Sequence, residues 1–255
     1  MKKIKFFAFF LGIAFFSSCI DIEEKIIIND DNSGTYSVTI DMNKMLEMIT
    51  QMKLENVSEK ETTDSVITLR EIVDTAQVLS SNEKELFKEA SFTLKIDEEN
   101  NQMKVIAVCP FKNISNLSFI KNNLFGVIKK LNLFEKESNK NEPISQAHSK
   151  ENNPSNPLAP FYTFTVTPGK ISYLINDKEG LDRLLMGSED LIEIKKMAPA
   201  MKDFSYRTII ALPGKIKKAI GPSNIVSTDK KTITFTRNFT DCVKRPKNLE
   251  YIIEY

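Results

Sequence analysis

The chain has 255 residues, with 35 Lys or Arg against 34 Asp or Glu and a net charge of +1. That balance excludes the basic excess of a nucleic-acid binder, and 41% apolar content excludes a chain too polar to fold. A single His and three Cys leave little material for a metal centre or a Ser-His-Asp triad.

The first element is an export signal. Lys2, Lys3 and Lys5 form a short positive region, and an apolar run follows from Phe6 to Phe16, broken only by Gly12. At about 11 residues it falls well short of the ~20 needed to span a bilayer. Ser17 and Ser18 then place small side chains before Cys19. This arrangement resembles the lipobox of bacterial lipoproteins, with Phe16 where an aliphatic residue is usual. The resemblance implies cleavage after residue 18 and a lipid-bearing Cys19, with a thioether-linked diacylglycerol and an amide-linked acyl chain such as palmitate. The membrane is then a partner through the N-terminal lipid. The expected location is the bacterial cell envelope, at the periplasmic face of the outer membrane or at the cell surface. Each buried methylene contributes ~0.8 kcal/mol, so two or more chains anchor stably where one is marginal. Without the three signal lysines, 35 basic residues become 32 against 34 acidic, a net of −2.

Ile20 to Asn29 alternates as a strand, with Ile22, Glu24, Ile26 and Ile28 opposite Glu23, Lys25 and Ile27. Asp30 to Gly34 is a polar turn in which Gly34 can take positive φ, and Thr35 to Asp41 returns as the second strand of a hairpin. The hairpin starts almost at the lipid, so the sheet must sit close to the membrane. Met42 to Met52 changes to helical spacing; its methionines read as a core stripe. Asp64 or Ser65 is expected to cap a helix reaching Val78, and Ser81 to cap another ending near Ala90. Phe92 to Ile96 and Met103 to Phe111 are strands, with Pro110 marking an edge or a terminus.

Ile114 to Leu131 is amphipathic, with Ser115 as its expected cap and Leu117, Ile120, Leu124, Val127, Ile128 and Leu131 on one face. Glu135 to Pro157 is a polar linker expected to be disordered; it holds His148, the single histidine. Phe161 to Val166 and Lys170 to Ile175 make a hairpin about Pro168-Gly169. Helices are expected over Asp177 to Met186 and Ser188 to Met201, then strands over Phe204 to Leu212, Lys215 to Ile220, Thr232 to Arg237 and Leu249 to Tyr255. The fold class is α+β: an antiparallel sheet built from hairpins, with helices packed on one side. The organisation is a signal at 1–18, a first α+β half at 19–134, the linker at 135–157 and a second half at 158–255, the two halves forming either one domain or two.

No motif carries chemistry. Cys-x-x-Cys pairs, His-Glu-x-x-His, Gly-x-Ser-x-Gly and a Gly-rich phosphate loop are all absent. Glu23 and Glu24 are adjacent carboxylates, but neighbours on a strand point to opposite faces and make a poor acid/base couple. No cofactor and no metal site is implied. Cys109 and Cys242 can pair in an oxidising compartment or remain buried thiols; the sequence leaves both open.

Two stretches carry a further resemblance. One is Ile26 to Ile40 behind the lipid cysteine; the other is Tyr206 to Ile216, with Pro213-Gly214-Lys215, followed by Thr232 to Phe235. Their order is similar to that in envelope lipoproteins of the Bacteroidetes and, more distantly, to the LppM-type lipoprotein domain, which often carries Trp where Phe235 stands. That resemblance implies an envelope role with lipid or glycolipid contact. The acidic run Asp21, Glu23, Glu24 is similar to surface-export signals of those lipoproteins. Asp64-Ser65-Val66 and Asp74-Thr75-Ala76 match their short O-glycosylation pattern at Ser65 and Thr75. The expected function is therefore a non-enzymatic, lipid-anchored protein with a binding or assembly role and an unidentified protein or lipid partner. Two alternatives are a carrier with an apolar cavity beside the Met-rich helix and a carboxylate-dependent enzyme on envelope glycans.

Overall fold

The computed structural model describes residues 21–44, 46–47, 62–97, 99–133, 159–187 and 205–255. The signal with Cys19, the linker with His148, the helix expected over 188–201 and most of the Met-rich segment lie outside these residues.

The fold is α+β. Twelve strands form two sheets among the described residues. The larger sheet has eight strands: β1 (Asp21–Ile28), β2 (Gly34–Asp41), β3 (Thr62–Thr68), β4 (Ser91–Asp97), β5 (Gln102–Phe111), β8 (Ser205–Ala211), β10 (Asn224–Val226) and β11 (Thr232–Asn238). Their order is β10-β11-β8-β1-β2-β5-β4-β3. The smaller sheet joins β6 (Tyr162–Thr167), β7 (Lys170–Ile175), β12 (Tyr251–Glu254) and β9 (Lys218–Ile220) in the order β6-β7-β12-β9. Pairing is antiparallel except between β1 and β8, which run parallel with Asp21 opposite Ser205 and Glu23 opposite Arg207. Strands from both sides of 135–157 therefore share one sheet.

Helices among the described residues include α1 (Arg70–Thr75), α2 (Ser81–Phe87), α3 (Leu117–Lys130), α4 (Lys178–Gly187) and α5 (Phe239–Lys244), and residues 43–44 and 46–47 are also helical. The core lies on one face of the large sheet, where α3 and the small sheet cover it. Ile26, Val38, Ala107, Ile210 and Ile233 from that face join Leu117, Ile120, Leu124, Val127 and Ile128 of α3 and Ile171, Tyr251 and Ile253 of the small sheet. The expected stripe on α3 is buried throughout. Burial of each such side chain contributes ~1.5–3 kcal/mol, which fixes α3 against the sheet.

Local chemistry explains the departures from expectation. Residues 62–68 are not helical: the β-branched run Thr62, Thr63, Val66, Ile67, Thr68 forms edge strand β3 against β4, and the helix is shortened to α1. The α2 cap is Ser80, one residue earlier than expected, in a reciprocal box with Glu83. Asn113, not Ser115, caps the 3₁₀ turn Ile114–Asn116 that leads into α3. In the β1–β2 turn, positive φ falls on Asn32 (64°) rather than on Gly34. Gly34 is required for a different reason: a Cβ there would lie 2.0 Å from the Ile27 carbonyl oxygen and 2.5 Å from the Phe111 ring. Gly169 takes the expected positive φ, 83°. Pro110 lies beyond the last β4–β5 pair, Ser91 with Val108, so its missing N–H breaks no bond on that side. The strand expected from Lys215 is reduced to β9, in the other sheet, and β10 and α5 are additional elements.

The two cysteines are not paired. Cys109 lies in the main core, its thiol directed at the Leu86 carbonyl (3.6 Å). Cys242 belongs to a separate cluster with Tyr162, Leu181 and Leu249. Burial pushes the Cys109 thiol up to about 12 and the Cys242 thiol up to about 11, so both stay protonated.

Candidate functional site

The strand that follows Cys19 supplies the carboxylates of two ion pairs, Glu23 with Arg207 and Glu24 with Lys121. β1 is an interior strand, paired from its first residue with Asp41 on one side and Ser205 on the other. Its alternation sends Asp21 and Glu23 to the outer face and Glu24 into the core. The adjacent carboxylates Glu23 and Glu24 thus face opposite ways, as strand geometry requires.

Glu24 is 2% exposed. Its Oε1 accepts from the Tyr36 hydroxyl at 2.8 Å and from the Lys121 ammonium; its Oε2 accepts from the Tyr206 hydroxyl at 2.7 Å. Burial by itself raises the carboxyl's pKa. The Lys121 charge and the three hydrogen bonds outweigh it, and the group is held below the ordinary carboxylate value. Burial and the Glu24 charge push the Tyr36 hydroxyl well above its usual range, so it remains a donor.

Lys121 reaches Glu24 through an aromatic cage. Its ammonium lies 5.8 Å from the Tyr36 ring centroid, 5.4 Å from Phe164 and 5.2 Å from Tyr173. A second cation packs on Tyr206. Arg237 stands 5.9 Å from the Tyr206 centroid, 5.0 Å from Phe235 and 5.5 Å from Tyr251. It donates to Thr208 Oγ1 at 3.0 Å and to the Asn248 carbonyl at 2.8 Å. The aromatic layer continues through the stacked pair Tyr162–Tyr173, 4.8 Å between centroids. This polar layer joins β1 and β2, α3, β8 and β11, and the small sheet.

On the outer face, the same strand carries a groove of about 270 Å³ lined by Asp21, Glu23, Thr39, Asp41, Lys104, Ser205 and Arg207. Ser205 Oγ donates to Asp21 Oδ1 at 2.6 Å, Arg207 to Glu23 at 3.1 Å and Lys104 to Asp41 at 3.0 Å. The acidic run Asp21, Glu23, Glu24 is thus folded into β1, and three consecutive β8 residues, Ser205, Tyr206 and Arg207, each bind one of its carboxylates.

The other expected site residues are dispersed. Ser65 lies half-buried in edge strand β3. Thr75 is exposed at the end of α1, its hydroxyl donating to the Glu71 carbonyl at 3.0 Å. No group of three or more His, Cys, Asp or Glu among the described residues could hold a metal ion, and no described helix is long and apolar enough to cross a membrane. The Glu24 centre had a signal in the sequence. Glu24 interrupts the apolar stripe Ile22, Ile26, Ile28; Lys121 interrupts Leu117, Leu124, Ile128; Arg237 ends Ile233, Phe235. A charge on a buried face needs a buried partner.

No protein-family profile matches the chain, and no curated protein does. The structure is similar to the NMR structure of the folded domain of the Mycobacterium tuberculosis LppM protein. The TM-score is 0.35 at 7% identity, over 93% of this chain and 91% of that one. That is the domain type to which the turn motifs are similar, and a likeness of this size carries no argument about function.

Proposed function

We propose that the chain is a lipid-anchored cell-envelope protein with a non-catalytic binding or assembly role, held against an outer membrane of the Bacteroidetes type through Cys19. The observation that carries this reading is the position of β1. Behind the lipobox-like signal, the sheet begins at Asp21, and β1 is paired on both sides from that residue. Two residues span at most about 7 Å. A lipid on Cys19 would therefore hold the centre of the large sheet at the bilayer surface instead of at the end of a flexible leader, which suits work done at the membrane.

A non-catalytic role is supported by the adjacent pair Glu23 and Glu24. Glu24 is enclosed by its own donors, and Glu23 faces away from it, so the pair cannot flank one substrate bond. The test is replacement of the cysteine. Cys19→Ala should abolish incorporation of radioactive palmitate and retain residues 1–18; undiminished labelling in the variant would refute the anchor.

A further inference from the structure

Strand β10 is the outermost strand at one side of the large sheet and pairs, among the described residues, with β11 alone. The Ser227 N–H donates to the Thr232 carbonyl at 2.8 Å, and the Thr236 N–H donates to the Ser223 carbonyl at 3.2 Å. Odd-numbered residues thus bond to β11, and antiparallel alternation turns the N–H and C=O of Asn224 and Val226 outward. The side chains beside this edge are apolar and open. Ile225 is 69% exposed. Val226 continues a row with Ile233 and Ile210, both 0% exposed, yet is itself 36% exposed. The core row therefore ends uncovered at β10, where a further strand would continue it.

The same stretch is strongly basic. Residues 215–231 hold five lysines, Lys215, Lys217, Lys218, Lys230 and Lys231, against one acid, Asp229. All five are exposed, and none forms an ion pair among the described residues. Asp229 is spent locally, accepting from the Ser227 hydroxyl and the Lys231 N–H. Backbone bonds gather the segment: the Ile216 N–H donates to the Lys230 carbonyl at 2.7 Å and the Leu212 N–H to the Lys231 carbonyl at 2.8 Å. Lys230 and Lys231 belong to the turn that leaves β10 after Val226, so the charges border one end of the open edge. That end lies away from Cys19. Ala211, which closes β8 just before Leu212, stands opposite Ile27, and Ile27 is about 20 Å along β1 from Asp21.

We infer that the β10 edge takes an extended acidic segment of a partner protein as an added strand. Its backbone bonds to Asn224 and Val226, its apolar side chains lie beside Ile225 and Val226, and its carboxylates meet the lysines. This deepens the binding role proposed above and rests on that reading for the partner's place. The anchoring bilayer's headgroup layer is about 5–7 Å deep, so an edge about 20 Å from the anchored end faces a partner beyond it. A bare anion would answer the lysines and leave the open backbone and Ile225 in water. Lysines beside an edge repel strands that are themselves basic. A second copy would bring the same five lysines, whereas an acidic strand is drawn in by them.

Fluorescence anisotropy of the mature protein in micelles provides the test, with labelled peptides of alternating Val and Thr that carry a run of Glu at one end or the other. The expected result is that one of the two binds at least tenfold tighter than polyglutamate and than its own form N-methylated at alternate residues. Val226→Pro removes an outward N–H and no bond to β11, and should weaken binding at least tenfold. The double variant Lys230→Glu, Lys231→Glu should do the same. Amide exchange followed by NMR gives a second readout on the wild type. Bound peptide should slow Asn224 and Val226 at least tenfold and leave Ile225, already turned to β11, unchanged. That readout decides if Val226→Pro melts early. No binding by either peptide overturns the inference, and so does exchange at Asn224 and Val226 that stays the same. Polyglutamate, heparin or anionic lipid vesicles binding as tightly as the peptide would show a general anion surface and also overturn it. Cys19→Ala should bind the peptide as the wild type does. Peptide binding by a wild type that carries no lipid on Cys19 would overturn the anchor and leave the edge standing.

Discussion

Tyr206 donates its hydroxyl hydrogen bond to Glu24 Oε2 at 2.7 Å, although 182 residues separate the two in the chain. The bond closes the parallel β1–β8 pair from the core side, while Arg207 and Glu23 close it from the outside. The first strand after Cys19 and the second half of the chain are thereby locked together. Hydrogen bonds to a charged group contribute ~1.5–3 kcal/mol. Tyr206→Phe should lower stability by about that amount in urea unfolding, with little change in the slope of the transition.

Tyr251 offers the opposite case. It is 2% exposed, and its hydroxyl has no hydrogen-bond partner among the described residues. Removing a buried polar group that makes no bond removes a desolvation cost of ~1–3 kcal/mol. Tyr251→Phe should leave stability unchanged or raise it, while keeping the ring stacked on Phe235 at 4.9 Å. A loss as large as that of Tyr206→Phe would show that the hydroxyl is bonded after all.

Lys121→Met should cost ~3–5 kcal/mol at pH 7, because it leaves Glu24 buried without its countercharge. It should also reverse the pH dependence. In the wild type the Glu24 pKa is lowered on folding, so its contribution is present above the unfolded value near 4.5 and is lost as pH falls through the folded value. In the variant, burial would dominate and raise the folded pKa. The variant should therefore regain stability relative to wild type as pH falls toward 4.5. Urea midpoints for both proteins between pH 4 and pH 8 provide the comparison.

Gly34→Ala tests the close approach in the first hairpin. The added Cβ would meet backbone, the Ile27 carbonyl oxygen at 2.0 Å, which cannot move without breaking the β1–β2 register. The expected loss is at least the ~1–3 kcal/mol of an overpacked core. A thermal midpoint equal to wild type would contradict the hairpin geometry.

Cys109 and Cys242 should resist thiol reagents in the native protein and react when it is unfolded. Both are buried and free, with thiols pushed up to about 12 and about 11. A disulfide-linked peptide joining them in a non-reducing digest would count against the structure.

The readable parts of the fold were those with local period. The α3 stripe from Leu117 to Ile128, the β1–β2 alternation and the Pro168-Gly169 turn all follow from spacing within a few residues. The β1–β8 pairing left no such mark, because a parallel contact between distant strands has no local signature and both strands alternate as if half-exposed. The three-residue strands β9 and β10 are too short to show a period. At 62–68, β-branched residues overrode a capping signal at Asp64 and Ser65. The polar layer was visible only as three charges in apolar stripes, Glu24, Lys121 and Arg237. Their common location depended on the pairing that spacing could not reveal.

The central claim is that a lipid on Cys19 holds the sheet at the bilayer surface. Mass spectrometry of the N-terminal tryptic peptide, residues 19–25, tests it most directly. The account predicts a peptide that begins at Cys19 and carries the mass of a diacylglycerol and an amide-linked acyl chain. A peptide with an unmodified Cys19, or an uncleaved one running from Phe6 to Lys25, would contradict it.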